Sequence, residues 1–424
     1  MNVDRFFSEA ASGMRESAIR KMGALGARIP DLISFAPGYP DPLLFPWETL
    51  QAAAADLLSG ADPAALQYGA TRGYRPLVEA LGGLLEPRGI RSSFDERMIT
   101  SGSQQGLDMV ARLFVDPGDV VLVELPTYTG AISAFANARA TLVGVPQEAD
   151  GIDLAALDAT VVQRRADGHR VRLLYVVPNF QNPTGLVIGL DKRRRLLEWA
   201  DRRDVLIVED DPYGDLYFPD SASPADTRPI KADDVSGRVI YLSSFSKTLA
   251  PGLRTAWIVA PEAVVQKLDL VKQAADICTG GLDQRLVHRA VAAGVLASQG
   301  DRLRAHYQRK RSVMERALAQ HAGDLVTWTR PRGGFFLWVT LPAGVDADAL
   351  LTRALRLAVS FVTGAAFFVD GSGQDTVRLS FSQPADDRID EGVSRLARAM
   401  RDELETQLAG GRPSAESGTA VPSG

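Results

Sequence analysis

The chain has 424 residues, of which 46% are hydrophobic and 23% are charged, and its formal net charge is −5. This length allows about two or three domains, and the composition is typical of a globular protein. The acidic balance, without a concentrated basic face, argues against a nucleic-acid partner, and no apolar run is long enough to span a bilayer.

Cysteine and histidine usage narrows the chemistry further. Cys278 is the only cysteine, so no intramolecular disulfide can form and a reducing compartment is expected. The four histidines lie far apart, without the short spacings of a metal site. Residues 1–7 lack the basic stretch and the apolar run of a signal peptide. We therefore expect a cytoplasmic protein without a bound metal.

The first part of the chain holds one candidate binding segment. Residues 1–45 are irregular and rich in proline and glycine, and a helix is predicted at about 47–58. Residues 99–106 are typical of a strand end that turns into a helix, with Ser103 and Gln104 at the turn. Free backbone N–H groups at such a helix start suit an anion, although serine and glycine are also ordinary helix caps.

Short β-branched runs then alternate with helical patterns. Several runs are apolar throughout, as in strands that are covered on both faces. The candidate strands are 119–124, 141–145, 171–177, 205–208, 239–242 and 255–259. The alternation predicts an α/β architecture with a largely parallel sheet. The basic run 192–195 precedes an apolar stretch, which predicts the solvent-exposed face of an amphipathic helix.

Asn182 follows the candidate strand 171–177. It would therefore lie at the carboxyl end of a strand, where open α/β sheets place ligands. Its side-chain amide can donate a hydrogen bond to a phenolate oxygen of a bound ligand. The sequence Asn-Pro-Thr-Gly is also that of a plain turn.

Three carboxylates end the candidate strand 205–208. They are Glu209, Asp210 and Asp211, and Tyr213 follows them. A carboxylate at a strand end can stabilise the protonated nitrogen of a bound pyridine ring, and the tyrosine hydroxyl can donate a hydrogen bond to an oxygen on such a ring. A solvated acidic loop and a divalent metal site are the alternatives.

Lys247 lies in the most informative segment of the chain. Ser244 and Ser246 flank it, and Arg254 follows seven residues later. The amine can form an imine with an aldehyde, whereas the hydroxyls and the planar guanidinium suit phosphate oxygens. These groups fit pyridoxal 5′-phosphate (PLP). A serine-rich loop with a solvated lysine and arginine is the alternative.

The C-terminal part predicts a smaller α+β unit. A long helical pattern covers about 286–320, and a last helix covers 387 to about 408. Candidate strands are 335–340, 358–361 and 376–380. Arg378 is a cation in an otherwise apolar strand, so it needs a partner, which is either a substrate carboxylate or a structural ion pair. The tail has almost nothing to bury and is predicted to be disordered.

Eight motifs in a fixed order carry a resemblance to a known family. They are Ser-Gly-Ser-Gln-Gln (101–105), Pro-Thr-Tyr (126–128), Gln-Asn-Pro-Thr-Gly (181–185), Glu-Asp-Asp-Pro-Tyr (209–213), Ser-Phe-Ser-Lys-Thr (244–248), Pro-Gly-Leu-Arg (251–254), Pro-Arg-Gly-Gly-Phe-Phe-Leu-Trp (331–338) and Arg-Leu-Ser-Phe (378–381). From about residue 17 to 408 the chain resembles a class I aminotransferase of PLP fold type I. It is most similar to the branch that includes 2-aminoadipate and kynurenine aminotransferases.

The resemblance implies roles around the cofactor. Lys247 would be the Schiff-base lysine, Asp210 would pair with the pyridine nitrogen, and Tyr128 would stack on the ring. Asn182 and Tyr213 would bind the 3′-oxygen of the ring. The residues implied for the phosphate are Ser103, Gln104, Ser244, Ser246 and Arg254, with Tyr68 reaching it from the partner subunit.

The resemblance also implies roles around the substrate. Arg378 and Asn182 would bind its α-carboxylate, and Gly38 would let the N-terminal segment close over it. Tyr39 lies on the same segment. Arg20 matches a position that in some relatives meets a side-chain carboxylate. Relatives often have two glycines where this chain has Pro37-Gly38, so their substrate specificity does not transfer directly.

An aminotransferase of this kind moves an amino group between an L-amino acid and a 2-oxo acid, with 2-oxoglutarate and glutamate expected as one pair. The resemblance implies a homodimer with shared active sites. The expected division is an N-terminal segment that covers the active site (1–45), a large PLP-binding domain (46–290), a small C-terminal domain (291–408) and a disordered tail (409–424).

Three other classes are alternatives. A PLP-dependent β-lyase or decarboxylase would share most of these residues. A transcription regulator with an aminotransferase-like effector domain needs a DNA-binding module, for which the roughly thirty residues before Leu32 are too few. A dinucleotide-binding protein needs a Gly-x-Gly-x-x-Gly motif after a strand, and none is present.

Overall fold

The computed structural model describes residues 3–14 and 29–410. The predictions for Arg20 and for most of the tail fall outside these ranges. Within them, no helix is both long and apolar enough to cross a membrane.

The strands are short, and most are buried. In chain order they are β1 (Ile33–Ser34), β2 (Arg97–Thr100), β3 (Val120–Leu125), β4 (Thr141–Glu148), β5 (Gly151–Ile152), β6 (Val171–Val176), β7 (Leu206–Asp210), β8 (Val239–Ser244), β9 (Ala256–Val259), β10 (Thr327–Trp328), β11 (Phe336–Thr340), β12 (Val359–Ser360), β13 (Val362–Thr363) and β14 (Thr376–Ser380).

The described residues also form twelve α-helices. They are α1 (Glu9–Gly13), α2 (Trp47–Ser59), α3 (Arg75–Leu85), α4 (Ser103–Phe114), α5 (Thr129–Asn137), α6 (Leu154–Ala166), α7 (Leu190–Arg203), α8 (Glu262–Ala275), α9 (Gly281–Ala292), α10 (Val295–Ala322), α11 (Ala347–Arg356) and α12 (Asp386–Gly410).

The large sheet has the strand order β2-β9-β8-β7-β6-β3-β4-β5. Its centre is parallel: β4, β3, β6, β7 and β8 all run in the same direction. The β8–β9, β2–β9 and β4–β5 pairs are antiparallel. The prediction of an α/β protein with a mostly parallel sheet is confirmed. The carboxyl ends of β3, β6, β7 and β8 therefore meet at one edge.

The core lies on both faces of this sheet, which explains why most residues of its central strands are apolar. On one face, α4, α5 and α8 pack against residues such as Val123, Tyr175 and Leu242. On the other face, α6 and α7 pack against Leu122 and Leu174. Polar ligand-binding groups of this sheet are therefore expected at the ends of its strands and in the loops that follow them.

A second, antiparallel sheet has the order β10-β11-β14-β13 and packs with α10 and α12. Strand β1 pairs in parallel with β12, so the segment before residue 36 is attached to this part of the chain. The predicted strand 358–361 contains β12, where Ser360 pairs with Ser34 of β1, and a separate strand, β13, begins just after it at Val362 and pairs with β14.

Two sequence predictions need correction. The pattern over 286–320 is not one helix, because Gly294 adopts φ of 71° and separates α9 from α10. The basic run 192–195 does lie on a helix, α7, but Lys192 and Arg193 are buried. Glu148 and Asp150 contact the Lys192 amine, and Arg193 donates to the carbonyl oxygens of Ile188 and Pro178.

Candidate active site

A cavity of about 630 Å³ opens at the edge where the parallel strands end. Most of the side chains that the sequence singled out line it. They are Gly38, Tyr39, Ser103, Gln104, Tyr128, Asn182, Asp210, Tyr213, Ser244, Ser246, Lys247, Arg254 and Arg378. Residues that are up to 340 positions apart in the chain thus converge on one volume.

The sheet topology explains this convergence. Strand β7 ends at Asp210, and β8 ends at Ser244, three residues before Lys247. Asn182 lies in the loop that follows β6. Because these strands are parallel neighbours, their carboxyl ends bring the three loops together, as in other open α/β sheets.

Lys247 places its side-chain amine in the cavity. Its Nζ donates to the Gly38 carbonyl oxygen at 2.9 Å and lies 5.8 Å from the ring centre of Tyr213. Burial lowers its pKa to about 8, and the charges of Arg378 and Arg254 add to this effect, whereas Asp210 opposes it. A lysine with a lowered pKa is neutral more often at physiological pH, so it can act as a nucleophile or a base.

Asp210 has one satisfied and one free oxygen. The Tyr175 hydroxyl donates to Oδ2 at 2.9 Å, whereas Oδ1 is buried and has no hydrogen-bond partner among the described residues. Burial raises the pKa of Asp210 to about 7; the Tyr175 hydrogen bond opposes the rise and the charge of Asp211 adds to it. A protonated ring nitrogen at Oδ1 would supply the missing partner and favour the ionised carboxylate.

The other two carboxylates of this segment have partners elsewhere. Glu209 accepts from the backbone N–H groups of Ile230 and Lys231 at 2.8 Å, and the Arg88 guanidinium pairs with Asp211 at 2.8 Å. The described residues contain no group of three His, Cys, Asp or Glu side chains that could hold a metal ion. The acidic segment is neither a solvated loop nor, in this part of the chain, a metal site.

Arg378 is fully buried on β14 and faces the cavity. Its Nη1 donates to Asn182 Oδ1 at 2.7 Å and its Nη2 donates to the Ala36 carbonyl oxygen. The rings of Phe336 and Phe367 lie 4.3 and 5.1 Å from its guanidinium carbon. Burial lowers its pKa to about 10.

No carboxylate among the described residues forms an ion pair with Arg378, so the structural ion pair that the sequence left open is not found there. Its Nε is buried without a hydrogen-bond partner in the same ranges. A buried guanidinium with unused donors is suited to a carboxylate from a ligand.

A second group of lining residues is suited to an anion. Helix α4 begins at Ser103, so its first backbone N–H groups face the cavity. Ser244 and Ser246 place their Oγ atoms 2.7 Å apart, and Arg254 completes the set. Gly102 has φ of 86°, and a Cβ there would lie 2.1 Å from Arg254 Nη2, so only glycine fits.

Two tyrosines, Tyr128 and Tyr213, also line the cavity. Tyr213 is buried edge-to-face against Phe335 and Phe336, and burial raises its pKa far above the ordinary range, so it remains a hydroxyl donor. Tyr128 packs on Gly130, where a Cβ would lie 2.4 Å from the Tyr128 ring. The Gln104 side chain donates to the Gly130 carbonyl oxygen at 2.8 Å and so fixes this contact.

The N-terminal segment forms one wall of the cavity. A Cβ on Gly38 would lie 2.6 Å from Phe336 Cζ, so glycine allows the backbone to approach this ring closely. Tyr39 lines the cavity and its side chain is half exposed. Tyr68 does not reach this cavity; it is 78% exposed and lines a separate cavity of about 390 Å³ with Tyr74. Arg20 lies outside the described residues.

Sequence reasoning missed the backbone carbonyls of Ala36 and Gly38 and the hydroxyl of Tyr175. The carbonyls give no sequence signal, because every residue has one. Tyr175 did give a signal, namely a hydroxyl within the apolar run 173–177, and a buried hydroxyl needs a hydrogen-bond partner.

The chain is similar to known proteins over most of its length. The model of the family "Aminotransferase class I and II" matches residues 36–396. Aromatic-amino-acid aminotransferase 1 of Thermococcus litoralis is 39% identical over 405 residues, which cover 95% of this chain and 96% of that protein. The 2-aminoadipate transaminase of Thermus thermophilus is 41% identical over 395 residues, with 93% and 96% covered.

A solved structure shows the same architecture. The kynurenine aminotransferase of Pyrococcus horikoshii, in complex with PMP, with KYN as substrate and KYA as product, matches with a TM-score of 0.89 at 40% identity. The match covers 95% of this chain and 98% of that one.

Proposed function

The chain belongs to the aminotransferase class I and II family, and we propose that one of its two substrate pairs is 2-oxoglutarate and glutamate. It is a PLP-dependent aminotransferase of fold type I that acts on small-molecule amino acids and 2-oxo acids. The predicted resemblance to the 2-aminoadipate and kynurenine aminotransferase branch is confirmed.

The chemical groups that line the cavity match those that bind PLP. The cavity lining offers a lysine amine, a buried carboxylate oxygen without a partner among the described residues, a helix start, two hydroxyls and a guanidinium. When bound, PLP supplies an aldehyde for a Schiff base with an amine and a pyridinium ring that accepts the negative charge of a substrate Cα.

We propose that Lys247 carries the cofactor and, after an amino acid has displaced it, moves the Cα proton. The lowered pKa of this amine supports the role, because a general base must be free of its proton near the working pH. The carbonyl oxygen of Gly38, which accepts from Lys247, would help to position the free amine in the cavity.

Asp210 would keep the ring nitrogen protonated through its free Oδ1. Tyr175 supports this role, since its hydrogen bond occupies Oδ2 and fixes the direction of Oδ1. Tyr128 would stack on the ring, and the hydroxyl of Tyr213 and the amide of Asn182 would donate to the 3′-oxygen. A fixed ionised carboxylate in a dry site stabilises a developing charge more strongly than water does.

Arg378 and Asn182 would bind the substrate α-carboxylate. This contact would orient Cα so that its C–H bond points toward Lys247. Within the described residues no protein carboxylate competes for the guanidinium, which supports the assignment. The phosphate would be held by Ser103, Gln104, Ser244, Ser246 and Arg254, with a contribution from Tyr68 of the partner subunit.

The last contribution depends on a homodimer, which we propose together with a cytoplasmic location. Tyr68 supports the dimer because it is exposed and remote from the cavity of its own chain. We also propose the division into an N-terminal segment (1–45), a large domain (46–290), a small domain (291–408) and a tail (409–424). The pairing of β1 with β12 supports an N-terminal segment that moves with the small domain.

The second amino acid is proposed from the relatives and from the wall of the cavity. Relatives are named for aromatic amino acids and for 2-aminoadipate. Gly38 and Tyr39 would contact the substrate side chain, and an aromatic or a specialised biosynthetic amino acid suits the half-exposed ring of Tyr39. Arg20 would meet a side-chain carboxylate if the donor is dicarboxylic.

The single observation that carries the proposal is one cavity that holds Lys247, Asp210 and Arg378 together. A panel of amino donors assayed against 2-oxoglutarate tests it. We expect stoichiometric glutamate from at least one aromatic or dicarboxylic donor. Ammonia or carbon dioxide release without glutamate would instead indicate the β-lyase or decarboxylase alternative.

A further inference from the structure

A buried ion pair lies behind the loop at the phosphate end of the cavity. Lys272 and Asp276 lie four residues apart where α8 ends, and the Lys272 Nζ is 2.8 Å from Asp276 Oδ1. The Lys272 side chain is fully buried, and that of Asp276 is 28% exposed. A buried charge is costly unless it is paired and hydrogen-bonded, so this pair requires an explanation.

Both members of the pair contact the segment 101–105, in which a short loop leads into the first turn of α4 and which is called the loop below. Lys272 Nζ donates to Gln105 Oε1 at 2.9 Å, and Gln105 Nε2 donates to Asp276 Oδ2 at 2.7 Å. The Ser101 hydroxyl donates to the same Oδ2 at 2.9 Å. The Ser101 backbone N–H donates to Gln105 Oε1 at 2.7 Å. The two ends of the loop are thus tied to one ion pair.

The loop carries the groups proposed for the phosphate. Between the tied residues lie Gly102, with its left-handed backbone, and Ser103, the first residue of α4. Arg254 Nη2 donates to the Ser101 carbonyl oxygen at 3.4 Å, so the arginine is linked to the same loop. A displacement of Ser101 would therefore move the free N–H groups and change the position of the guanidinium together.

We propose that Lys272 and Asp276 are positioning residues for the phosphate of the cofactor. The pair acts through Gln105 and Ser101 and holds the loop in its binding geometry before the ligand arrives. Pre-organisation of this kind increases affinity because the ordering cost is met during folding. The inference rests on the proposed phosphate site, and it adds two residues that do not line the cavity.

The test compares PLP with pyridoxal, which has the same ring and aldehyde but no phosphate. The dissociation constants of both compounds are measured on cofactor-free protein, so no turnover is needed. The test variant is Lys272→Met, which leaves Asp276 partly open to water. The matched control is Lys192→Met, because Lys192 is also buried, with a side chain that is 6% exposed, pairs with Glu148 and Asp150, and lies outside the cavity lining.

We expect the Kd ratio of pyridoxal to PLP to fall by about tenfold in Lys272→Met, which corresponds to about 1.4 kcal/mol. The ratio should not change in Lys192→Met. General structural damage would weaken the binding of both ligands equally and leave the ratio unchanged. An unchanged ratio in Lys272→Met, with or without weaker binding, would therefore overturn the inference.

Two further variants keep the outcomes distinct. If Lys272→Met does not fold, Ser101→Ala replaces it, since this variant removes only one hydroxyl from the network. We then expect the Kd ratio of pyridoxal to PLP to fall by about threefold, or about 0.65 kcal/mol. An unchanged ratio in Ser101→Ala would overturn the inference. Arg254→Met tests the phosphate site itself. A normal ratio in Arg254→Met would overturn that site and this inference with it, whereas a lowered ratio there with a normal one in Lys272→Met overturns the inference alone.

Discussion

Asp210 and Asp211 are adjacent in the chain but lie in two different regions of the molecule. Consecutive residues of an extended segment point to opposite sides, so one carboxylate faces the cavity and the other faces the interior behind it. Asp211 accepts from Arg88 at 2.8 Å, from Asn179 at 2.9 Å and from Tyr241 at 3.1 Å. Asp210 accepts from Tyr175 alone among the described residues and keeps one oxygen free.

The same contrast separates the two regions as a whole. Behind the cavity, charges such as Arg193 and Glu209 are buried but hydrogen-bonded to backbone groups, as is usual in protein interiors. In the cavity, Asp210 and Arg378 each keep a buried polar atom without a partner in the described ranges. Arg304 and Arg311 also have a buried Nε without a hydrogen-bond partner, but each forms an ion pair with a carboxylate, whereas no described residue forms an ion pair with Asp210 or Arg378. Buried charges that are paired within the protein stabilise the fold, and the unpaired charges in the cavity are suited to a ligand. The following variants test this difference.

Lys247→Ala should have the largest effect. The loss of the amine removes both the cofactor attachment and the proton carrier, so we expect turnover to fall by at least about a thousandfold, or about 4 kcal/mol. Steady-state assays with glutamate as the product measure it. Lys192→Met serves as the control and should retain its rate. Near-normal turnover in Lys247→Ala would refute the assignment.

Asp210→Asn and Asp211→Asn test the comparison directly. The first should retain PLP but lose several orders of magnitude in kcat, because an amide cannot balance the charge on the ring nitrogen. The second should mainly lower the unfolding temperature, because it breaks a buried ion pair with Arg88 that is worth about 3–5 kcal/mol when one partner is lost. A loss below about tenfold in Asp210→Asn, which is about 1.4 kcal/mol, would end the proposed role of Asp210.

Arg378→Met should lower kcat/KM by about a hundredfold, or about 2.7 kcal/mol, because a bidentate contact to the substrate carboxylate is lost. PLP binding should be retained. Arg311→Met is the matched control, since Arg311 is also buried but pairs with Asp220 and lies outside the cavity lining. It should lose stability and keep its KM. Equal kinetic effects in both variants would contradict the comparison.

Tyr175→Phe should have a smaller effect of about tenfold on kcat, since a single hydrogen bond to a charged group is worth roughly 1.5–3 kcal/mol. This hydrogen bond lowers the pKa of Asp210, so its removal should raise that pKa. The acid limb of kcat/KM against pH should therefore move to higher pH. A pH profile that keeps its midpoint would show that Tyr175 only fills space.

The smallest effect is expected in the cofactor-free protein. Its Asp210 has a pKa of about 7, above the ordinary value of 3.8, so the protonated form favours folding at low pH and this contribution is lost as the pH rises to about 7. Asp210→Asn should therefore raise the unfolding temperature more at pH 8 than at pH 5. Equal shifts of the unfolding temperature at both pH values would show that the pKa of Asp210 is not raised in the cofactor-free protein.

The sequence predicted the strand-end residues well, because parallel strands bring their carboxyl ends to one edge whatever the details of packing. It did not predict the burial of Lys192 and Arg193. Burial of a cation depends on partners that are distant in the chain, such as Glu148, Asp150 and the Pro178 carbonyl oxygen. Periodicity alone reports only the apolar face of a helix.

The same reason explains why the sequence did not predict the ion pair behind the phosphate loop. Lys272 and Asp276 have the spacing of an ordinary exposed helix pair, and only the packing of α8 against α4 brings them to Gln105. The free oxygen of Asp210 is likewise invisible in the sequence, which shows three adjacent carboxylates without showing which of them has partners.

The most direct measurement is borohydride reduction of the protein with added PLP, followed by peptide mapping. The account predicts one phosphopyridoxyl group, on the peptide that contains Lys247, and its absence after Lys247→Ala. A label on another lysine, or none on the wild-type protein, would contradict it.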